Sequence, residues 1–339
     1  MRDDDLKVLD RIDLRELEAT LDQHTRRKEK VDRWTEFSWS VSRHRMFNSC
    51  RRRYYLHYYG ARRVREADDK VVSAVWWLKQ VVSREVWLGT VIHEVAAETI
   101  RALREGKEAE PDEYELIEKA RHTYREGVQA SRRGARFDGR WIVLFDHVYP
   151  HDVDSPDDEE VEEHIGHLVR AFLSSDAYAF IREQAAHYIY EVDEPFQSFS
   201  LHDVPQLGDV RVFAIPDVLV HTPDAITIID WKTGDARRES IREQAGIYRF
   251  YAHQRYNLPE EKIHVWIVDL NGGGASIAPS GGVPSLAEAE RFARQSIHEM
   301  IEHMEDVAHH TVSISRFPMT EDLSLCQRCG FKWACWRHE

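Results

Sequence analysis

Cysteine is scarce in this sequence: four among 339 residues, Cys50, Cys326, Cys329 and Cys335. So long a chain with so few cysteines is not a disulfide scaffold, and a reducing compartment would keep its thiols free. No apolar run approaches the roughly 18 residues that a membrane helix needs, so no membrane association is expected. Positive charge is in deficit. Lys and Arg number 46 against 60 Asp and Glu, a net charge of −14. That excludes a uniformly basic nucleic-acid coat but not local basic patches. The opening MRDDDLKVLDRIDLREL is charged from its second residue and has no apolar signal core. A cytoplasmic location is the expectation. Gly134 to Trp141 has the glycine spacing of a phosphate-binding loop but lacks its Lys and Ser/Thr. Any unwinding motor must therefore be another chain.

Aromatic residues, in contrast, are plentiful. Phe, Tyr and Trp number 13, 13 and 10, and 42% of the chain is hydrophobic. A sizeable core follows, and disorder is excluded. The length fits about two ordinary domains, or one with insertions. Residues 1–36 are charge-rich, with Leu6, Val8, Leu9, Ile12, Leu14, Leu17 and Leu21 at partly helical spacing. A solvated helix is expected there, as a peripheral arm or a docking element. Further helices are predicted over 40–59 (with Cys50 inside and Ser40 or Ser42 as N-cap), 87–105, 113–130, 161–183, 239–256 and 286–309. The acidic, proline-containing stretch 147–163 reads as a hinge or insertion. Residues 187–201, 209–221, 225–231 and 262–269 read as strands. Helices followed by strands, a helix, a strand and a helix indicate an α/β fold around a small mixed sheet.

The stretch AIPDVLVHTPDAITIIDWKTG, residues 214–234, carries the chemistry. Strand periodicity points Asp230 and Lys232 to one face. A turn at Pro223-Asp224 brings Asp217 across the hairpin to that same face. Two carboxylates and an ammonium beside an apolar strand need compensation for lost solvation. A hard divalent cation on oxygen ligands would provide it. A surface Asp–Lys pair at a strand end is the plainer alternative.

At this point the chain resembles the PD-(D/E)XK nuclease superfamily, in its RecB-like branch. Pro216-Asp217 and Asp230-Trp231-Lys232-Thr233-Gly234 match its core pattern. Leu88-Gly89-Thr90-Val91-Ile92-His93 matches its upstream G-x-x-x-H element, and Gln244 to Tyr248 its Q-x-x-x-Y element. Glu194 or Glu191 lies about where an acidic residue precedes the first aspartate. Ala214 stands where glycine is usual. The resemblance implies a restriction-endonuclease-like core with helical insertions. Its Mg²⁺ or Mn²⁺ would be held by His93, Asp217, Asp230 and the main-chain carbonyl of Trp231. Lys232 would assist the attacking water, Gln244 would position the site, and Tyr248 would lie near substrate. The implied activity is hydrolysis of DNA, as an exonuclease on single-stranded or end-containing substrate, in repair, CRISPR adaptation or phage-related defence. A DNA-binding subunit acting only with a helicase or integrase is the alternative. The chain divides accordingly into the arm 1–36 and a nuclease domain over 37–339. That domain has a helical part at about 87–183 and its catalytic core at about 187–270.

Cys326-x₂-Cys329-x₅-Cys335, with Cys50 far upstream, would suit either zinc or a 4Fe–4S cluster by spacing alone. The resemblance favours iron–sulfur. One cysteine before the core and three after it is the arrangement of CRISPR-associated RecB-like exonucleases and exonuclease V. Arg51 stands where their proline is usual. The cluster would staple the two chain regions together. Arginines interleaved with aromatics at Arg51, Arg52, Arg53, Tyr54 and Tyr55 suit a single strand of DNA, by charge and by stacking. Further basic clusters lie at Arg62-Arg63-Arg65, Arg132 to Arg140 and Arg237-Arg238.

Overall fold

The computed structural model describes residues 6–335 except 7, 10, 27–35, 62–68, 108–110, 153–156, 185, 235–237 and 280, and the side chains of 238–240. Arg62, Arg63, Arg65, Arg237 and the Arg238 side chain therefore lie outside the described residues.

Two small mixed sheets form the centre. The larger is built on β5 (Val218–His221) and β6 (Ile226–Lys232), antiparallel across the Pro223-Asp224 turn. Strand β2 (Ile189–Val192) pairs antiparallel on the outer edge of β5. Strand β7 (Ile263–Asp269) runs parallel to β6, and β8 (Ala275–Ile277) closes the far edge. The second sheet joins β1 (Ser38–Trp39), β4 (Gly208–Phe213) and β3 (Ser198–Val204) in that order with β4 central. The parallel β6–β7 pair needs a crossover, and helix Arg238–Tyr256 supplies it.

Alternation along β6 assigns its two faces. Ile226 and Ile228 join the core under the crossover helix, whereas Ile229 and Trp231 face helix Arg84–Arg104 and its neighbours. Trp231 is 1% exposed and meets Phe172 edge-on at 5.2 Å. Burying side chains of this size contributes about 1.5–3 kcal/mol each. Helix Glu113–Arg133 packs closely on helix Arg84–Arg104 because Gly127 leaves room for Trp87; a Cβ there would lie 2.2 Å from the indole.

Several elements differ from the sequence expectation. The 40–59 helix is broken. Helix Val41–Ser49, capped by Ser40, stops at Cys50, whose extended backbone (φ −161°) caps helix Arg51–Tyr55. The 161–183 helix is two, Asp158–Ser174 and Asp176–Glu183, with Ser175 capping the second. Strand 187–201 divides into β2 and β3, and 209–221 into β4 and β5. Asp217 consequently sits in a bend before β5 rather than within a strand. The last long helix ends at Ile301. The N-terminal segment is not a solvated arm. Helix Leu14–Arg26 buries Leu17 and Leu21 completely, and Leu6 and Leu9 are 1% exposed. Asp22 on that helix accepts hydrogen bonds from the Ser313 hydroxyl and the Ile314 amide.

Candidate active site

Asp217 and Asp230 meet through the hairpin register. Ile229 pairs with Val218, so one further step along the ladder sets Asp217 opposite Asp230. Lys232 lies two residues on, at the same face and at the end of β6. Asp230 is 3% exposed. The Tyr248 hydroxyl donates to its Oδ1 at 2.6 Å, and Gln244 Nε2 donates to the same oxygen at 3.3 Å. Its Oδ2 faces the Lys232 ammonium in an ion pair. The i, i+4 spacing of Gln244 and Tyr248 places both on the helix face over β6, and Gln244 Nε2 also bonds the Tyr248 oxygen at 2.7 Å.

Asp217 is fixed from the other side. Its Oδ2 accepts the Trp231 amide at 2.7 Å, and its Oδ1 lies 2.9 Å from His93 Nδ1. His93 reaches the strand end because helix Arg84–Arg104 approaches it closely at Gly89. A Cβ on Gly89 would stand 2.7 Å from Thr233 Oγ1. The G-x-x-x-H spacing thus joins a close-approach residue to the histidine that meets Asp217, a single helical turn apart.

The electrostatics are those of crowded, buried charge. Burial raises the Asp230 carboxyl above its usual range; Lys232 opposes that shift and Asp217 adds to it. Burial alone would lower His93, but the Asp217 and Asp230 carboxylates outweigh it and the net shift is upward. Burial and then the Asp230 charge push the Tyr248 phenol well up, so it stays a donor.

The donor set suits a hard divalent ion: two carboxylates, a main-chain carbonyl and one imidazole. At present Asp217 Oδ1 is engaged by His93 and Asp230 Oδ2 by Lys232. Among the described residues no three His, Cys, Asp or Glu side chains stand in a ready metal-holding arrangement. The oxygens that would hold a cation are the ones now engaged by the His93 imidazole and the Lys232 ammonium.

The acidic residue expected before Asp217 needs correction. Glu191 is 3% exposed and sequestered under the crossover helix by the Tyr251 hydroxyl at 2.8 Å, the Tyr256 hydroxyl and Arg255 Nε at 3.1 Å. Glu194 pairs with Arg104 at 3.5 Å. The residue beside the site is Asp193, whose amide donates to the Asp217 carbonyl at 2.8 Å. Burial, then the Asp217 charge, raises its carboxyl. Arg45 was also missed. Its Nη2 lies 3.4 Å from Gln244 Oε1, one residue removed from Asp230. Neither residue belongs to a recognisable spacing motif, so sequence carried no signal for them.

Cys50, Cys326, Cys329 and Cys335 line one cavity of about 40 Å³, together with Arg53, Lys332 and Phe331. One water requires about 10–15 Å³, so the space exceeds that of a single water. Burial raises three of the thiols, Cys335 to about 12. In Cys335 Arg52 opposes the shift, and the other three cysteines add to it.

The proposed DNA contacts separate into two groups. Arg51 and Arg53 are exposed. Arg52 is 6% exposed; its Nε donates to the Phe317 carbonyl at 2.9 Å and its Nη1 pairs with Glu18 at 2.6 Å. Tyr54 and Tyr55 are fully buried, packed around Phe317. These three are core residues, and their faces are closed to bases.

The family model of the PD-(D/E)XK nuclease superfamily matches residues 38–336. The match spans nearly the whole chain, and the protein belongs to that superfamily. Its members are typically nucleases that use Mg²⁺ or Mn²⁺. No curated protein and no solved structure matches the chain.

Proposed function

We propose that the protein is a Mg²⁺- or Mn²⁺-dependent deoxyribonuclease of the RecB-like branch, acting as an exonuclease on single-stranded or end-containing DNA. The observation that carries the reading is the convergence of Asp217, Asp230, Lys232 and His93 at one strand end, with Gln244 and Tyr248 clamped onto Asp230. His93, Asp217, Asp230 and the Trp231 carbonyl would hold the ion. When bound, it supplies charge neutralisation at the phosphate and acidifies water. The chain's own residues do the rest. Tyr248 and Gln244 fix one oxygen of Asp230 and leave the other turned to the site. The Trp231 amide fixes one oxygen of Asp217. Lys232, on the same strand face, would offer its ammonium to the attacking water and to charge developing on the phosphate. The water oxygen would bond to phosphorus as the P–O3′ bond breaks, and O3′ would take a proton, which leaves 5′-phosphate and 3′-hydroxyl ends.

The four cysteines would hold a 4Fe–4S cluster that staples helix Arg51–Tyr55 to the C-terminal segment. Their shared cavity supports this, and the same thiols would accept zinc. Exposed Arg53, which lines that cavity, and exposed Arg51 on the same helix would be the remaining phosphate contacts from that region. Residues 37–339 would work as one nuclease domain.

The test is cleavage of 5′-labelled linear single-stranded DNA, with Mg²⁺ or Mn²⁺, by anaerobically purified protein beside its Asp230→Ala variant. Cutting by the unsubstituted protein alone supports the reading. Equal cutting by both overturns the site. Binding without cutting by either indicates a DNA-binding subunit that needs a helicase or integrase partner.

A further inference from the structure

Phe196 is 64% exposed and has a backbone φ of +65°. A bulky aromatic in the left-handed region is strained, and such strain persists where the surrounding structure imposes it. Here the imposition is visible. The 193–197 loop is tied at both ends to the segment that delivers Asp217. The Asp193 amide donates to the Asp217 carbonyl at 2.8 Å, and the Ala214 amide donates to the Gln197 carbonyl at 3.1 Å. Asp193 is itself left-handed, at φ +46°. On the partner segment Ile215 is 41% exposed, and its carbonyl oxygen lies 3.0 Å from the Tyr248 hydroxyl oxygen. Two solvent-facing apolar side chains are thus carried on backbone segments bonded to each other and to both sides of the active site.

We propose that Phe196, with Ile215 on the segment bonded to its loop, is a stacking platform for an unpaired nucleobase next to the phosphate that is cut. A base inside a duplex has both faces covered by its neighbours. Only a single-stranded or frayed terminal base offers a free face to an aromatic ring. The proposal rests on the nuclease reading and names the feature of the substrate that the site selects. Sequence specificity is not expected, because every base has such a face.

The experiment uses a Lys232→Ala background, so that DNA stays intact, and single-stranded oligonucleotides with 2-aminopurine at successive positions. Stacking quenches that fluorophore. One position is expected to be quenched on binding. Phe196→Gly should abolish the quench and weaken binding about tenfold, whereas Phe196→Tyr should keep both. Glycine accepts the left-handed backbone, so Phe196→Gly should melt no lower than its parent. A second aromatic group provides the control: Tyr190, His221 and Tyr256, with ring centroids 5.0–5.8 Å apart. It lies at the far end of β5, about 13 Å from Asp217 at 3.3 Å per residue. Tyr190→Ala should leave the quench unchanged. An undiminished quench in Phe196→Gly, or equal loss in Tyr190→Ala, overturns the proposal. Failure of the parent to bind any DNA overturns the nuclease reading, and the platform with it.

Discussion

Asp230 is surrounded by protein donors: a phenol, an amide and an ammonium, each from a defined position on a strand or helix. The four thiols share a cavity with far fewer such partners. Cys50 Sγ accepts the Arg53 amide at 3.4 Å, and burial pushes three of the four away from the thiolate form. The carboxylate site owes its shape to hydrogen bonds that exist without any ion. The cysteine cavity joins residues 276 positions apart. Under the proposed reading, a metal in the first region would be held by oxygens that protein groups already engage. In the second it would be the main link between the segments.

That difference makes the two regions separable by experiment. Lys232→Ala should lower cleavage the most, by about 10²–10³-fold or more, while iron, sulfide and the absorbance near 400 nm stay at parental levels. Parental cleavage in that variant would remove Lys232 from the chemistry. Cys335→Ser should do the reverse. Iron and sulfide should fall away, and stability should drop by several kcal/mol, since metal-binding free energy here is folding free energy. Cleavage per folded molecule should fall less than in Lys232→Ala. Unchanged metal content would refute the cysteine site, and zinc without sulfide would redefine it. Tyr248→Phe should cost about 1–3 kcal/mol in denaturant unfolding, because a buried carboxylate loses its shortest neutral donor. A cost near zero would mean that the active site is less rigidly held than its hydrogen bonds indicate. Smallest is Gly89→Ala. The new methyl displaces Thr233, while alanine favours the helix by about 1 kcal/mol, so net stability should change by less than that. Cleavage should fall a few-fold and recover when Thr233→Ala is added. Absence of recovery would show that Gly89 acts through another contact.

The paired aspartates were legible because hairpin register and strand alternation are local rules, which 218–232 obeys, and Asp217 lies one step beyond the ladder. Gln244 with Tyr248 and Gly89 with His93 were legible as single helical turns. Asp193 was not, since its place depends on a left-handed turn and a main-chain bond that residue type does not encode. Tyr54 and Tyr55 were misassigned for a different reason. Arginines alternating with tyrosines describe a nucleic-acid surface and a core helix equally well, and only the packing against Phe317 decides. The N-terminal leucines were underestimated because helix Leu14–Arg26 packs on residues 56–60, helix Lys70–Lys79 and residues 314–316, all beyond the reach of any local pattern. The break at Cys50 was hidden by helix-compatible residues on both sides.

The hydrogen bonds that Asp22 accepts from Ser313 and Ile314 span 291 and 292 residues. During synthesis at about 5–20 residues per second, helix Leu14–Arg26 emerges roughly 15–60 s before those partners exist. Its packing on residues 56–60 and on helix Lys70–Lys79 needs only chain made soon after it, whereas the bonds to Ser313 and Ile314 wait for nearly the whole chain. Closing so long a loop carries its entropy cost before any contact is gained. The N-terminal part of this cluster is therefore made long before its C-terminal cover, and the face of helix Leu14–Arg26 that carries Asp22 is where chaperones would find this chain.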